Sequence, residues 1–579
     1  MQDVLTKLRS ALSDALVAAF GPDFADTDPL LNPAGNPAFG DYQANLAMKL
    51  GKQLGKPPRE VAQAVVDQVQ IGGLIEKADV AGPGFINLHL SKGALADAAC
   101  AMLNDSQLGV APLDAPQTVV VDYSSPNVAK EMHVGHLRST VIGDAIARVL
   151  TFQGHDVVRQ NHLGDWGTQF GMLIEHLIET GQAQQDDLGD LTKLYKQSKA
   201  RFDAEPEFAE RAKQRVVKLQ GGHEPTLASW RRLVAQSAVY FASIYERMGV
   251  LLEPGDTRGE SFYNDKLPTV IEQLKRDGVL QESQGAGVVF VEGFADKDGN
   301  PLPMIVQKSD GGYLYATTDL AAVRFRVDEL GASRVVYVTD ARQSQHFAMV
   351  FKAAADAGWL KGASFEHVPF GTVLGEDGKP FKTRDGDVVR LVDLIDEAES
   401  RAIAVCKEKN PDLTDKEAVE IGRVVGLGAL KYADLSSDRI KDYRFSWERM
   451  LALDGNTAPY LINAYVRVHG IFRKGGIDFD AFTADHVQVD DPNEKALVLK
   501  LIQFGPTVAS VADSLEPHRL CNYLYDLASA FHKFFEHCPV LRSDVDPRVK
   551  QGRLALCKLV ALTLRQGLDL LGIGVVERM

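Results

Sequence analysis

Two histidines a helical step apart, in His133-Val134-Gly135-His136, close a stretch that begins Ser124-Ser125-Pro126-Asn127-Val128-Ala129-Lys130. Imidazoles at this spacing can hydrogen-bond phosphate oxygens that gain charge during transfer, and Gly135 leaves no side chain between backbone and ligand. A nucleoside triphosphate suits such a seat. A polar helix cap is the plainer account of the same residues.

The flanking text decides where the pair must stand. Thr118-Val119-Val120-Val121-Asp122-Tyr123 has the length and β-branched content of a buried parallel strand. Leu137, Val141, Ile142, Ala145, Ile146, Val149 and Leu150 then recur at helical spacing up to a stop at Gly154. The histidines therefore lie where a strand hands over to a helix, the end of a parallel sheet at which backbone N–H groups and the helix dipole favour an anion.

A second strand, Asp156-Val157-Val158-Arg159-Gln160-Asn161, ends in His162-Leu163-Gly164-Asp165-Trp166-Gly167, a tight turn able to approach a nucleoside or to serve only as a turn. Long charged helical patterns fill about 180–290 and read as an insertion. The sheet is expected to resume with Val288–Val291 and Met304–Val306. Beyond them Tyr315 and Asp319 share one face of a helical stretch, and strands at Arg334–Asp340 and His367–Leu374 flank a helix entered through Arg342-Gln343-Ser344-Gln345-His346-Phe347. Alternation of this kind predicts a doubly wound parallel sheet in two halves. The loop Gly375-Glu376-Asp377-Gly378-Lys379-Pro380-Phe381-Lys382-Thr383-Arg384 can close over a polyphosphate, or be a solvated hairpin.

Outside this core the chain changes character twice. Residues 1–112 read as a small α/β module, with an amphipathic helix on Leu5, Leu8, Leu12 and Leu16. Its Phe39, Tyr42 and Gln43 either stack on and hydrogen-bond an unpaired base or pack a core. From about 391 helical patterns replace strands, and the basic, aromatic run Tyr460–Lys474 is either a bundle core or an edge that reads nucleic acid.

Composition sets the outer bounds. The 579 residues, 45% hydrophobic and 24% charged, describe a globular chain of several domains. A net charge of −15 argues against indiscriminate nucleic-acid binding and leaves room for local basic surfaces. Met1-Gln2-Asp3-Val4-Leu5 lacks a signal pattern and no stretch approaches a membrane span, so a cytoplasmic protein is expected. Cys100, Cys406, Cys521, Cys538 and Cys557 are scattered, which indicates neither a disulfide framework nor a structural zinc.

Taken together the residues carry a resemblance. Ser125–His136, Leu163–Gly171, Tyr315–Ala321, Gln343–Phe347, Asn456–Leu461 and the closing Val575-Val576-Glu577-Arg578-Met579 resemble, in this order, the arginyl-tRNA synthetases of class I over nearly the whole chain. The resemblance implies a Rossmann-like catalytic domain at 113–390 with a largely helical insertion at about 180–295. It implies an N-terminal tRNA-contacting domain at 1–112 and a C-terminal α-helical anticodon-binding domain at 391–579. The substrates would be L-arginine, tRNA(Arg) and ATP with Mg2+, and the expected state a monomer.

It also implies roles. His133, Gly135, His136 and Lys130 would be catalytic. Gly164, Asp165, Trp166, Lys382, Thr383 and Arg384 would bind ATP. Asp122, Ser125, Pro126, Asn127, His136, Tyr315, Asp319 and Gln343 would bind arginine. Phe39, Tyr42, Gln43, Asn456, Tyr460, Tyr465 and Met579 would touch tRNA. One position departs from the class: the closing loop usually reads Lys-Met-Ser-Lys-Ser, and here Thr383 stands at the second lysine, so Lys130 is expected to supply the missing cation. A nucleotidyltransferase for another substrate shares the histidine motif, and a synthetase-like regulatory protein would be expected to lack it.

Overall fold

The computed structural model describes residues 4–70, 72–183, 190–381, 388–484 and 486–579. In the N-terminal module Leu8, Leu12 and Leu16 are fully buried one helical turn apart, which seats the helix Val4–Phe20 on a core. That core also covers one face of an antiparallel sheet whose strands run in the order Leu31–Pro33, Tyr42–Ala44, Phe85–Leu90, Ile75–Ala81.

The main sheet is parallel, in the order Ser364–Phe370, Arg334–Asp340, Thr118–Asp122, Asp156–Gln160. Val336 is level with Val121, and Val121 with Arg159. Val119, Val120 and Val121 are fully buried, as a strand covered on both faces requires. The histidine helix, Val134–Gln153, is buried on nearly every side and ends at Gly154 in a left-handed conformation.

Two strand expectations need correction. Ala286–Ala295 and Pro301–Gln307 do not rejoin the parallel sheet; with Gln281–Ser283 they form a separate antiparallel one. The short polar turn around Asp296-Lys297-Asp298-Gly299-Asn300 cannot hold the crossover that a parallel pair demands. This sheet shares a core with Tyr263, Leu267, Val270 and Leu274, so the insertion runs on beyond its helices. Strands also do not end entirely at 391, because Tyr443–Arg444 pairs in parallel with Val373–Leu374.

The inserted helices Leu191–Ala204, Pro206–Gln220 and Glu224–Met248 lean on the catalytic core through Ser237, whose hydroxyl accepts from the Ala129 N–H at 3.0 Å. The C-terminal part is a helical assembly that includes the bridge helix Asp415–Leu435 and the last helix, Pro547–Leu570. Residues 492–514 are long and apolar enough by composition to span a membrane, which corrects the sequence reading. The stretch is broken at Ile502-Gln503 into Pro492–Leu501 and Phe504–Ser514, and half of it is buried in the core.

Candidate active site

From the end of the first strand the chain crosses to the histidine helix through three non-glycine residues with left-handed backbones, Ser124 (φ 70), Ser125 (φ 48) and Ala129 (φ 61). Such conformations persist where the surroundings over-determine them. Here the Ser124 N–H donates to Ser139 Oγ at 2.9 Å, the Ser125 N–H to Asn161 Oδ1 at 3.0 Å, and Ser124 Oγ meets the Tyr245 hydroxyl at 2.8 Å. Pro126 is buried beneath this turn and Asn127 is exposed at its top. Gly164 comes so close that a Cβ there would sit 2.3 Å from Asn127 Oδ1, which explains glycine at the second strand end.

The two rings are locked by backbone donors. His133 Nδ1 accepts from the Gly135 N–H at 3.0 Å and His136 Nδ1 accepts from the His133 N–H at 3.1 Å. A backbone N–H can only donate, so each neutral ring carries its proton on Nε2 and keeps that donor for a ligand. Burial drives His136 down to about 3, and burial with the charges of Lys130 and Arg342 lowers His133. Near neutral pH both rings are uncharged donors. Gly135 lies against His133, where a Cβ would come within 2.9 Å of the ring. The Lys130 ammonium stands 4.5 Å over the Tyr195 ring.

A second cluster at the strand ends is acidic. Asp319, on the helix Tyr315–Arg324, accepts from His346 Nε2 at 2.6 Å, and His346 packs edge-on to Tyr315 with ring centroids 4.8 Å apart. Tyr315 is 64% exposed and Gln343 is exposed at the start of the neighbouring helix. Asp165 takes two bonds from Ser261, 2.8 Å from its N–H and 2.6 Å from its hydroxyl. It therefore ties the turn at the second strand end to the segment Gly259-Glu260-Ser261. Trp166 packs edge-on to Trp230, whose Nε1 donates to the Asp165 carbonyl at 2.7 Å. Glu260 is pushed up to about 7 by burial and by the negative charges of Asp165 and Asp319. Asp165, Glu260 and Asp319 thus cluster, with Asp319 paired to His346, an arrangement able to receive a positive ligand.

Sequence reasoning missed four residues here. Glu260 and His346 belong to the acidic cluster, and Glu260 lay inside text read only as insertion. Arg326 is fully buried in a π-helical turn, Phe325–Glu329, beneath three strand ends. It donates to Asp122 Oδ2 at 2.5 Å and to Gln160 Oε1 at 2.7 Å, and lies 4.6 Å over the Tyr337 ring. Asp122 also accepts from the Ser125 hydroxyl at 3.0 Å on its other oxygen, so it is held rigidly, with lone pairs to spare. Arg342 is clamped by Asp340 at 2.8 Å through both ends of its fork. Arg326, two residues past the end of the helix Tyr315–Arg324, gave no local signal.

The closing loop begins as a hairpin, with Gly375 N–H donating to the Lys379 carbonyl at 2.7 Å and Phe381 N–H to Val373 at 3.0 Å. Lys382, Thr383 and Arg384 lie outside the described residues. Beyond them Val389 accepts from the Val134 N–H at 3.0 Å and Leu391 N–H donates to Met132 at 2.8 Å, so the loop returns directly onto the histidine turn.

Among the remaining candidates, Phe39 is 47% exposed and Gln43 donates to Asn87 Oδ1 at 2.9 Å. Tyr42 is a correction: at 3% exposure its ring belongs to the N-terminal core and offers no face to a base. Tyr465 is corrected likewise, 4% exposed with its ring 4.6 Å from that of His469. Both face inward because core positions recur at the spacing on which they fall. Asn456 lies 2.6 Å from the Tyr432 hydroxyl, Tyr460 is half-buried against Tyr525 and His532, and Met579 packs partly against the C-terminal core.

Comparison with known proteins identifies the family and the fold. Residues 98–447 match the family model described as tRNA synthetases class I (R), catalytic domain. Residues 461–579 match the DALR anticodon binding domain, and 6–90 the arginyl tRNA synthetase N terminal domain. The chain is 52% identical over 592 residues to an arginine–tRNA ligase of a Synechococcus species, covering 99% of each. The crystal structure of arginyl-tRNA synthetase from Plasmodium falciparum superposes with a TM-score of 0.86 at 30% identity, covering 100% of both chains. The arginyl-tRNA synthetase of Thermus thermophilus does so with 0.82 at 26% identity, covering 99% of this chain and 100% of that one.

Proposed function

The chain belongs to the class I arginyl-tRNA synthetases, and on that premise, which makes it an ATP-dependent arginine–tRNA ligase, we propose how its residues divide the work. An oxygen of the arginine carboxylate attacks the α-phosphorus of ATP in line and pyrophosphate leaves; the 2′-hydroxyl of the terminal adenosine of tRNA then attacks the adenylate carbonyl and AMP leaves. Positioning and charge stabilisation carry both steps.

His133 and His136 donate through Nε2 to phosphate oxygens, with Gly135 admitting them closely. Gly164 and Trp166 border the nucleoside, and Asp165 sets that border through Ser261. Lys382, Thr383 and Arg384 close over the phosphates, which arrive with Mg2+ as the substrate complex, and Lys130 takes the part of the absent second lysine. Asp319, Glu260 and Tyr315 receive the guanidinium. Asp122, held by Arg326 and Ser125, faces the α-ammonium, with Pro126, Asn127 and Gln343 around it. The observation that carries the reading is the clustering of Asp165, Glu260 and Asp319, with Asp165 directly after the Gly164 that packs on Asn127 of the histidine turn.

We assign residues 1–112, 113–390 and 391–579 to the N-terminal, catalytic and anticodon-binding domains. Phe39 and Gln43 present the N-terminal module to tRNA, and Asn456, Tyr460 and Met579 the C-terminal helices. The enzyme works as a cytoplasmic monomer. Exchange of pyrophosphate into ATP, run with each amino acid in turn, is expected to proceed with arginine alone and to rise sharply when tRNA is added, because the third substrate completes the site. Equal rates with and without tRNA remove the second expectation, and exchange with another amino acid removes the first.

Glu260 gives the site a pH signature. Arginine is charged throughout the accessible range and favours ionised Glu260, whose carboxyl sits at about 7 in the free protein. The KM for arginine is therefore expected to fall roughly tenfold between pH 6 and 8. The stability linkage has the opposite slope: with its folded value raised from 4.5 to about 7, this group's contribution is complete below pH 4.5 and is lost as pH rises through 7. Glu260→Gln should flatten the KM profile while raising the melting temperature at pH 8. A steep profile in that variant would assign the titration elsewhere.

A further inference from the structure

Behind the histidines, residues of the bridge helix Asp415–Leu435 join elements far apart in sequence. The Lys431 ammonium is buried and donates to the Gly572 carbonyl at 2.6 Å, just past the last helix, while its charge faces Asp144 on the histidine helix. Next to it, the Tyr432 hydroxyl lies 2.6 Å from Asn456 Oδ1 and 2.9 Å from the Cys521 carbonyl. Asp434 pairs at 3.0 Å with Nε of Arg138, two residues beyond His136, and both are buried.

Asp144 extends the connection to the phosphate seat. It accepts from the Leu251 N–H at 2.7 Å, from Arg148 Nε at 2.8 Å and from the Tyr123 hydroxyl at 3.3 Å. Tyr123 directly precedes the left-handed pair Ser124-Ser125. A Cβ on Gly143 would fall 2.2 Å from Tyr123 Cβ, so helix and strand end cannot slide independently. At the far end, the tail is seated on the same bridge helix, where a Cβ on Gly428 would meet Ile573 Cγ2 at 2.9 Å. One helix thus holds the tail through Lys431 and the Asn456 loop through Tyr432, and pairs with the histidine helix through Asp434.

A lysine so deeply placed is costly, and burial lowers it to about 8. What offsets that cost is the bond to the Gly572 carbonyl and the nearby charge of Asp144. We propose that Lys431, with Tyr432 and Asp434 beside it, is a positioning residue that carries the seating of tRNA on the C-terminal tail to the histidine turn. The proposal rests on the reading of the C-terminal helices as a tRNA surface. Close-packed elements pass a displacement on instead of absorbing it, which is what such a connection needs.

The test uses the full-length enzyme with Lys431→Met, Tyr432→Phe and Met579→Ala, measuring charging kinetics, arginine-dependent exchange and melting temperature. Lys431→Met is expected to lower kcat for charging about tenfold and Tyr432→Phe about threefold, with KM for arginine and tRNA within about twofold. Met579→Ala is expected to lower charging in the native background and to cost nothing more in Lys431→Met. Unchanged kcat in both bridge variants, or kcat losses that come only with raised KM and lowered melting temperature, would overturn the proposal. Full additivity of Met579→Ala would overturn it too. Should Lys431→Met fail to fold, Tyr432→Phe decides alone. A silent Met579→Ala in the native background removes the tRNA reading of the tail, and is thereby told apart from failure of the coupling.

Discussion

Asp319→Asn is expected to lower kcat/KM for arginine in pyrophosphate exchange about a thousandfold, equivalent to about 4 kcal/mol, at nearly unchanged KM for ATP. A guanidinium offers five donors in a fixed fork and keeps its charge, so a pocket that excludes water must return acceptors and negative charge together. Asparagine fills the same volume and can still meet His346, which is 2.6 Å from Asp319 Oδ2, so the helix Tyr315–Arg324 should keep its place. What disappears is the charge, and one acceptor oxygen becomes a donor aimed at other donors. Steady-state exchange at varied arginine, with a melting curve beside it, checks both halves. Near-normal exchange would place the guanidinium elsewhere and leave the acidic cluster without its assigned guest.

Lys130→Ala is the second large effect expected, a fall in the activation rate of about a hundredfold with KM for arginine within about twofold. The lysine is half-buried at the histidine turn, its ammonium is 4.5 Å over the Tyr195 ring, and its charge acts on both His133 and His136. Because both histidines are neutral near pH 7, they donate hydrogen bonds without balancing the charge that accumulates on the leaving pyrophosphate. A cation must do that. Thr383 cannot, and among the described residues Lys130 is the cation whose charge acts on both rings. Single-turnover adenylate formation isolates the step from product release. An unchanged rate would return the role to Lys382 or Arg384.

How much of this could be read without coordinates depends on how local each signal is. The histidine turn was legible because strand, turn and helix are contiguous: β-branched valines, a glycine between two imidazoles, and an apolar period of one helical turn all lie within Thr118–Gly154. Asp319 and Tyr315 were legible as a pair for the same reason. Tyr42 and Tyr465 were misplaced because an aromatic on the buried side of a strand or helix has the same spelling as one on the exposed side. Val288–Val291 was misassigned to the main sheet because an apolar run shows that a strand is buried and says nothing about which strand it pairs with.

The sequence by itself determined the class of chemistry, the alternation of strand and helix around it, and the family, since each is written in short runs whose meaning does not depend on distant partners. Only the tertiary structure decided which charges meet. Glu260 is raised because folding buries it and brings Asp165 and Asp319, remote from it along the chain, close by, and Asp122 is held by an arginine about two hundred positions away. Electrostatic energy depends on separation through space and on exclusion of water, and neither quantity exists until the chain has folded.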